Sequence, residues 1–193
     1  KVLLLEYPKV DRQQLKGSNY QDEIDFLIRN DARNKYITNL SLSLKGNSLV
    51  LFQRVESHGK VLYDLMREKS KDVYFVHGGT DAKSREEVRS IIEKESNSIV
   101  VASYGVFSTG VNIRNLNNIV FASPSKSRVR NLQSIGRGLR RSDTKHSATL
   151  LDVADDLSMK SYKNYTLKHF MERLKIYRDE KFDYKIYNVK LKT

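Results

Sequence analysis

Short, unbroken apolar runs recur along this 193-residue chain, each followed by a longer stretch with helical spacing. No other feature limits the possible folds as tightly. The runs are KVLLLEY (1–7), SLVLF (48–52), DVYFV (72–76), SIVVA (98–102), NIVFA (118–122) and ATLLDV (148–153). They do not alternate apolar with polar residues, so each reads as a strand buried on both faces. Between them the spacing predicts helices over Tyr20–Arg29, Ala32–Leu44, 56–69, Ser84–Glu95, Ser127–Arg141 and Asn164–Glu180. Val61, Leu62, Leu65 and Met66 carry the helical period of the third. Ser84 with Glu87 has the pattern of a capping box. The last helix places Leu167, Phe170, Met171, Leu174 and Tyr177 on one stripe. Strands alternating with helices imply an α/β fold with a parallel sheet covered on both sides. In such sheets ligands sit beyond the carboxyl ends of the strands. The loops that matter are then 53–59, 77–83, 103–117 and 123–127.

Charge narrows the partners. The chain has 35 Lys and Arg against 23 Asp and Glu, a net charge of +12. A surface this basic attracts phosphates, whether on nucleic acid or on an anionic membrane. There is no cysteine, which excludes a disulfide framework and a thiolate metal site and suits a reducing cytoplasm. The histidines are not clustered; His58 and His146 read as unremarkable, and no zinc site is expected. No apolar run approaches the roughly 18 residues a membrane span requires. The chain opens at Lys1 directly on an apolar run, and a fragment of a longer protein is expected.

One helix departs from ordinary structural helices. QSIGRGLRR (133–141) contains two glycines, each costing about 1 kcal/mol in a helix interior relative to alanine. At 100° per residue, Gln133, Arg137 and Arg140 fall within about 60° of one another. Val129, Leu132, Ile135 and Leu139 occupy a separate arc suited to a core. One face thus presents an amide and two guanidiniums, whose forked donors match phosphate oxygens and stabilise charge in phosphoryl transfer. Gly136 permits close approach of a ligand or another backbone; Arg141 lies off the face. The loop SYGVFSTGVNIRNLNN (103–118) adds small hydroxyls and free backbone at a strand's carboxyl end. No G-x-x-x-x-G-K-[ST] occurs, so the chain has no phosphate cradle of its own. LLDVADD (150–156) resembles an acidic Mg²⁺ motif, but Asp152, Asp155 and Asp156 read as a strand end and its turn.

These elements together resemble superfamily-two helicases. The STGVNI loop and QSIGRGLR are similar to motifs V and VI of that group, with Gln133, Gly136, Arg137 and Arg140 matching. Ser134 stands where an arginine is usual. Gly110-Val111-Asn112 stands where Gly-hydrophobic-Asp is usual. LVLFQRVESHGKVLYDLM (49–66) looks like motif IV, and FVHGGTDAKSREEV (75–88) resembles the element after it, with His77, Gly78 and Arg85 matching. LKGSNYQDEI, VASYGVFSTG and ERLKIYRDEKFDY resemble the carboxyl-terminal half of the UvsW-type phage DNA repair helicases.

The resemblance implies a RecA-like three-layer sandwich with a mostly parallel central sheet, the second motor domain of a two-domain enzyme. Residues 1–47 would lead into the domain, 48–157 form its core, and 158–193 supply a carboxyl-terminal helix and tail. ATP with Mg²⁺ would bind jointly with an amino-terminal RecA-like domain, which brings the phosphate-binding loop and the acidic motif. Arg137 and Arg140 would be catalytic, with Gln133, Gly136, Gly110 and Asn112 also on the nucleotide. Gln53, Arg54, Ser57, His77, Gly78, Ser103 and Thr109 would hold the nucleic-acid backbone, with Lys126, Arg128 and Arg130 adding charge. The implied partner is DNA, branched or duplex, with RNA left open by the motifs, and the implied location is the cytoplasm, that of a bacterial host if the gene is a phage's. A non-catalytic nucleic-acid-binding module on the same fold is the competing reading. The fragment by itself should not turn over ATP.

Overall fold

A computed structural model describes residues 1–70, 72–108, 115–123 and 148–192. The expected strands form as β1 (Val2–Glu6), β2 (Ser48–Phe52), β3 (Val73–Val76), β4 (Ile99–Ser103), β5 (Asn118–Phe121) and β6 (Thr149–Asp156). A seventh, β7 (Ile186–Lys190), lies in what the sequence presents as a tail. The order across the sheet is β3-β4-β2-β5-β6-β1-β7, with every pairing parallel. β7 escaped the apolar-run criterion because it is an edge strand: Ile186 and Tyr187 stay exposed, and apart from Val189, which packs on the core, its backbone ties it to β1.

The described helices are α1 (Lys9–Leu15), α2 (Tyr20–Arg29), α3 (Asp31–Ser43), α4 (Lys60–Arg67), α5 (Ala82–Lys94), α6 (Tyr104–Ser108) and α7 (Tyr165–Asp179). Successive strand residues point to opposite faces, and both faces are apolar. Leu3, Leu5, Val50, Phe52, Val101, Val120 and Val153 face Leu27, Ile37, Leu62 and Met66 of α2, α3 and α4. Leu49, Leu51, Val100, Ile119, Phe121 and Ala154 face Ile92, Phe170 and Tyr177 of α5 and α7. The result is a sheet between two helical layers.

Three local expectations change. The α5 cap is Asp81, not Ser84: its Oδ1 accepts the Ser84 N–H at 2.9 Å, and its charge suits a helix amino terminus. The stripe of α7 lacks Met171, which is 43% exposed, while Phe170 and Tyr177 are buried against the sheet. The helix expected over 56–69 is a π-helical turn (Val55–Gly59) followed by α4. The wider turn brings the Gly59 backbone onto the Phe52 ring, and a Cβ at Gly59 would lie 2.5 Å from ring carbons. Gly59→Ala therefore overpacks a buried site. It should lower stability by about 1–3 kcal/mol, read as a shift in the denaturant midpoint at unchanged m-value. A midpoint equal to wild type would mean that the turn yields freely.

Asp152, Asp155 and Asp156 all lie within β6, which ends at Asp156, so the strand runs on through the residues expected to form its turn. Two of them are held there by buried arginines on opposite faces. Asp155 accepts from Arg33 Nε at 2.8 Å and Nη2 at 3.0 Å, and from the Tyr7 hydroxyl at 2.8 Å. Asp152 accepts from Arg173 Nε at 2.7 Å and Nη2 at 2.9 Å, and from the Tyr177 hydroxyl at 2.6 Å. A carboxylate in the middle of a sheet is tolerable only when paired and hydrogen-bonded in this way. Burial is the largest influence on the Arg33 guanidinium and lowers its pKa, but Asp155 and Tyr7 together outweigh burial and the pKa rises. Burial first, then the Asp155 charge, pushes the Tyr7 hydroxyl well above the ordinary phenol range.

Polar side chains also fasten the other elements. Glu23 of α2 is buried at the amino end of α7, where its oxygens accept the N–H groups of Tyr165 at 2.9 Å and Thr166 at 2.7 Å. An anion there meets the helix's unpaired donors and its dipole. At the opposite edge of the sheet, Asn47 donates to the carbonyls of Ile92, Glu95 and Asn115 and accepts the Ser98 N–H.

Candidate nucleic-acid interface

Because every strand runs the same way, the carboxyl ends of β2, β3, β4 and β5 lie along one edge. Their register is close: Phe52 pairs with Ser103, Leu51 with Phe121, and Val76 with Ala102. That edge carries Gln53 and Arg54 after β2, His77 and Gly78 after β3, and Ser103 as the last residue of β4. Six of the sequence-derived contact residues are described: these five and Ser57, half-buried in the π-helical turn. The remaining nucleic-acid candidates Thr109, Lys126, Arg128 and Arg130 lie outside the described residues. So do the nucleotide candidates Gly110, Asn112, Gln133, Gly136, Arg137 and Arg140, together with the helix expected over Ser127–Arg141.

The β2 end is held from two sides. The Gln53 side chain is exposed, and its backbone N–H donates to Ser123 Oγ at 3.0 Å. Ser123 Oγ also sits 2.9 Å from Nδ1 of the fully buried His58. A histidine that looks unremarkable in sequence thus ties the π-helical turn to the segment after β5. The signal was partial: both residues fall in loops that the parallel-sheet rule marks, but nothing local pairs them. Arg54 Nη1 donates to Asp25 Oδ1 at 2.5 Å, and both side chains are about one-third exposed. The Arg54 hydrogen bond is the largest of the influences that hold the Asp25 carboxyl below its usual range.

The turn after β3 is built from its own polar groups. Thr80 Oγ1 accepts the His77 N–H at 3.0 Å, and the Thr80 N–H donates back to the His77 carbonyl at 3.0 Å. His77 Nδ1 accepts the Gly79 N–H at 3.1 Å, so the neutral ring carries its proton on Nε2. Arg85 reaches back from α5, donating from Nε to the Thr80 carbonyl at 2.7 Å and from Nη2 to the Gly78 carbonyl at 3.0 Å. Carbonyl dipoles that would repel an anion are thereby turned toward a guanidinium. Gly78 is exposed, and a Cβ built there meets nothing within 4 Å. The turn keeps the N–H groups of His77, Gly79 and Thr80 for itself and leaves open space beside Gly78 at the strand end, where a sequence-independent phosphate contact could approach.

Among the described residues, no candidate metal site forms. No group of three or more His, Cys, Asp or Glu side chains converges. Of the acidic residues of β6 that resemble a metal motif, Asp155 is taken up by Arg33 and Asp152 by Arg173. No described helix is long and apolar enough to cross a membrane.

Comparison with known proteins agrees with this layout. A family model for the helicase conserved C-terminal domain matches residues 32–142. The chain is 38% identical over 202 aligned positions to the ATP-dependent DNA helicase uvsW of Enterobacteria phage T4, covering 98% of this chain and 40% of that protein. Against the crystal structure of T4 UvsW the TM-score is 0.89 over 99% of this chain and 41% of that one. The C-terminal domain of the DEAD-box protein Dbp5 gives a TM-score of 0.61 at 14% identity, over 98% of this chain and 89% of that one. At that identity the likeness concerns the fold alone. The chain spans about two-fifths of the length of the phage relative.

Proposed function

Because the chain belongs to the helicase conserved C-terminal domain family and has its RecA-like fold, we propose that it is the second motor domain of an ATP-dependent DNA helicase or translocase. The supporting observation is the alignment of Gln53, Arg54, His77, Gly78 and Ser103 along one carboxyl edge of the sheet. A motor that moves along a strand must hold its backbone, because contacts to base edges would stop it at particular sequences. The residues at this edge are of the backbone-holding kind: an exposed amide, a guanidinium, an imidazole, exposed glycine backbone and one hydroxyl, that of the buried Ser103.

In this reading the full protein joins the chain to an amino-terminal RecA-like domain, and ATP with Mg²⁺ lies between the two. Bound ATP supplies the phosphoryl group whose transfer to water drives the motor. The first domain provides the phosphate-binding loop and the carboxylates for the metal, while Asp155 and Asp152 of this chain are committed to Arg33 and Arg173. Arg137 and Arg140 provide positive charge to the transferring phosphoryl group. Gln133, Gly136, Gly110 and Asn112 contact the nucleotide. Ser57, Thr109, Lys126, Arg128 and Arg130 extend the backbone grip. The likeness to a phage ATP-dependent DNA helicase favours DNA; that the DNA is a branched intermediate of repair or recombination, in the cytoplasm of a bacterial host, is part of the proposal.

The test is ATP hydrolysis by the full protein with branched DNA, linear duplex DNA and RNA as stimulants. Branched DNA should stimulate most and RNA least. Stronger stimulation by RNA would replace the proposal with an RNA helicase. Turnover indifferent to all three would leave a binding module that retains the helicase fold.

A further inference from the structure

Arg54, at the carboxyl edge, is held by one nitrogen. Its Nη1 donates to Asp25 Oδ1, and among the described residues its Nε and Nη2 take no partner. Asp25 comes from α2, 29 positions earlier in the chain. Gln21, one turn before it, donates to the same carboxylate oxygen at 3.0 Å and so fixes where that oxygen stands. The edge left open on Arg54 is the fork of two parallel N–H groups that matches two oxygens of one phosphate. Asp25 thus occupies the nitrogen that phosphate recognition does not need.

We propose that Asp25 is a positioning residue for nucleic-acid binding: it holds Arg54 by Nη1 so that the Nε/Nη2 fork faces a backbone phosphate. The proposal rests on the assignment of Arg54 to the nucleic-acid interface. An arginine carries large rotamer freedom, and part of it is lost in any single-geometry contact. A partner that fixes the guanidinium beforehand lowers that cost. A carboxylate close to a phosphate would also repel it. Here the Arg54 hydrogen bond and charge, with the charge of Arg29 one turn later on α2, favour the ionised form of Asp25. The pair is partly exposed, where salt screens the residual repulsion.

The experiment measures binding of a duplex DNA oligonucleotide by the full protein across a salt series, for wild type, Arg54→Ala, Asp25→Ala, Asp25→Asn and the Arg54→Ala/Asp25→Ala double variant. Arg54→Ala should weaken binding severalfold and make the salt slope shallower by about 0.9, the value of one lost phosphate contact. Asp25→Ala should lose a similar amount in both measures. The double variant should bind no more weakly than Arg54→Ala alone. Asp25→Asn, whose Oδ1 still accepts from Nη1, should regain most of the slope. The DNA concentration for half-maximal ATP turnover should rise in Asp25→Ala while kcat and the unfolding midpoint hold. Asp25→Ala binding as tightly as wild type, or more tightly, would overturn the proposal, because the carboxylate would then compete with phosphate. Losses that add in the double variant would also overturn it. Wild-type binding and slope in Arg54→Ala would remove Arg54 from the interface and this proposal with it, while DNA-stimulated turnover would still stand as the separate test of the motor assignment.

Discussion

Arg137→Ala and Arg140→Ala, introduced singly into the full protein, should each lower DNA-stimulated ATP turnover by about 10³-fold or more and leave DNA affinity nearly unchanged. The magnitude is that of an arginine acting on a phosphoryl-transfer transition state. Negative charge develops on the transferring group only as the reaction proceeds, so a fixed guanidinium lowers the barrier more than it strengthens ground-state binding. Arg137→Lys and Arg140→Lys keep the charge but lose the planar fork, and should recover little of the rate. Because the two arginines would act on one group, the double variant should fall well short of the product of the single losses. Steady-state ATP hydrolysis with saturating DNA measures the rate, and fluorescence anisotropy measures the binding. Turnover within a few-fold of wild type in either alanine variant would sink the assignment of that arginine. A parallel loss of DNA binding would move it from the nucleotide to the nucleic acid.

The largest effect on stability should come from Asp155→Ala, at about 3–5 kcal/mol. Arg33 is fully buried, and its charge is balanced by Asp155 at 2.8 and 3.0 Å. Removing the carboxylate leaves an uncompensated guanidinium inside the fold and takes the acceptor from the Tyr7 hydroxyl. The damage should come from the orphaned charge more than from the lost attraction. Replacing both partners by apolar residues, as in Arg33→Met with Asp155→Leu, should restore most of the stability. Asp152→Ala should behave in the same way through Arg173 and Tyr177 on the opposite face. Denaturant unfolding of the single and double variants decides the matter. A double variant as unstable as Asp155→Ala would show that the pair itself, and not the unpaired charge, holds the fold.

Much of this architecture was legible before any coordinates. SLVLF became β2 with the same bounds because a strand buried on both faces has to be apolar at every position. α2 kept its expected bounds because Asn19 caps it, its side chain accepting the Asp22 N–H at 2.9 Å. β7 was illegible because an edge strand needs no apolar run. Met171 was misplaced because helical spacing marks a broad arc, and only the packing of α7 on the sheet decides where burial stops. Asp81 displaced Ser84 as the cap of α5 because either residue type can start a helix, and the backbone geometry at that turn selects one.

The loops of the candidate interface were also legible, since a parallel sheet gathers its carboxyl ends on one edge. Within those loops the pairings were not. Arg54 meets Asp25 across 29 positions, and His58 meets Ser123 across 65. No periodicity links residues so far apart.

Local chemistry in the sequence determined the sheet's apolar strands and their common direction, and so which edge is proposed for the ligand. It also set the family, through motifs whose residues stand close together in the chain. The tertiary structure alone decided which charges are neutralised. Asp152 and Asp155 stand in a stretch that resembles a metal motif but reads as a strand end and its turn, and each is buried against an arginine from a helix on its own side of the sheet. The physical reason is that a buried charge takes its role from its nearest counter-charge, and that neighbour is set by packing, not by position in the chain.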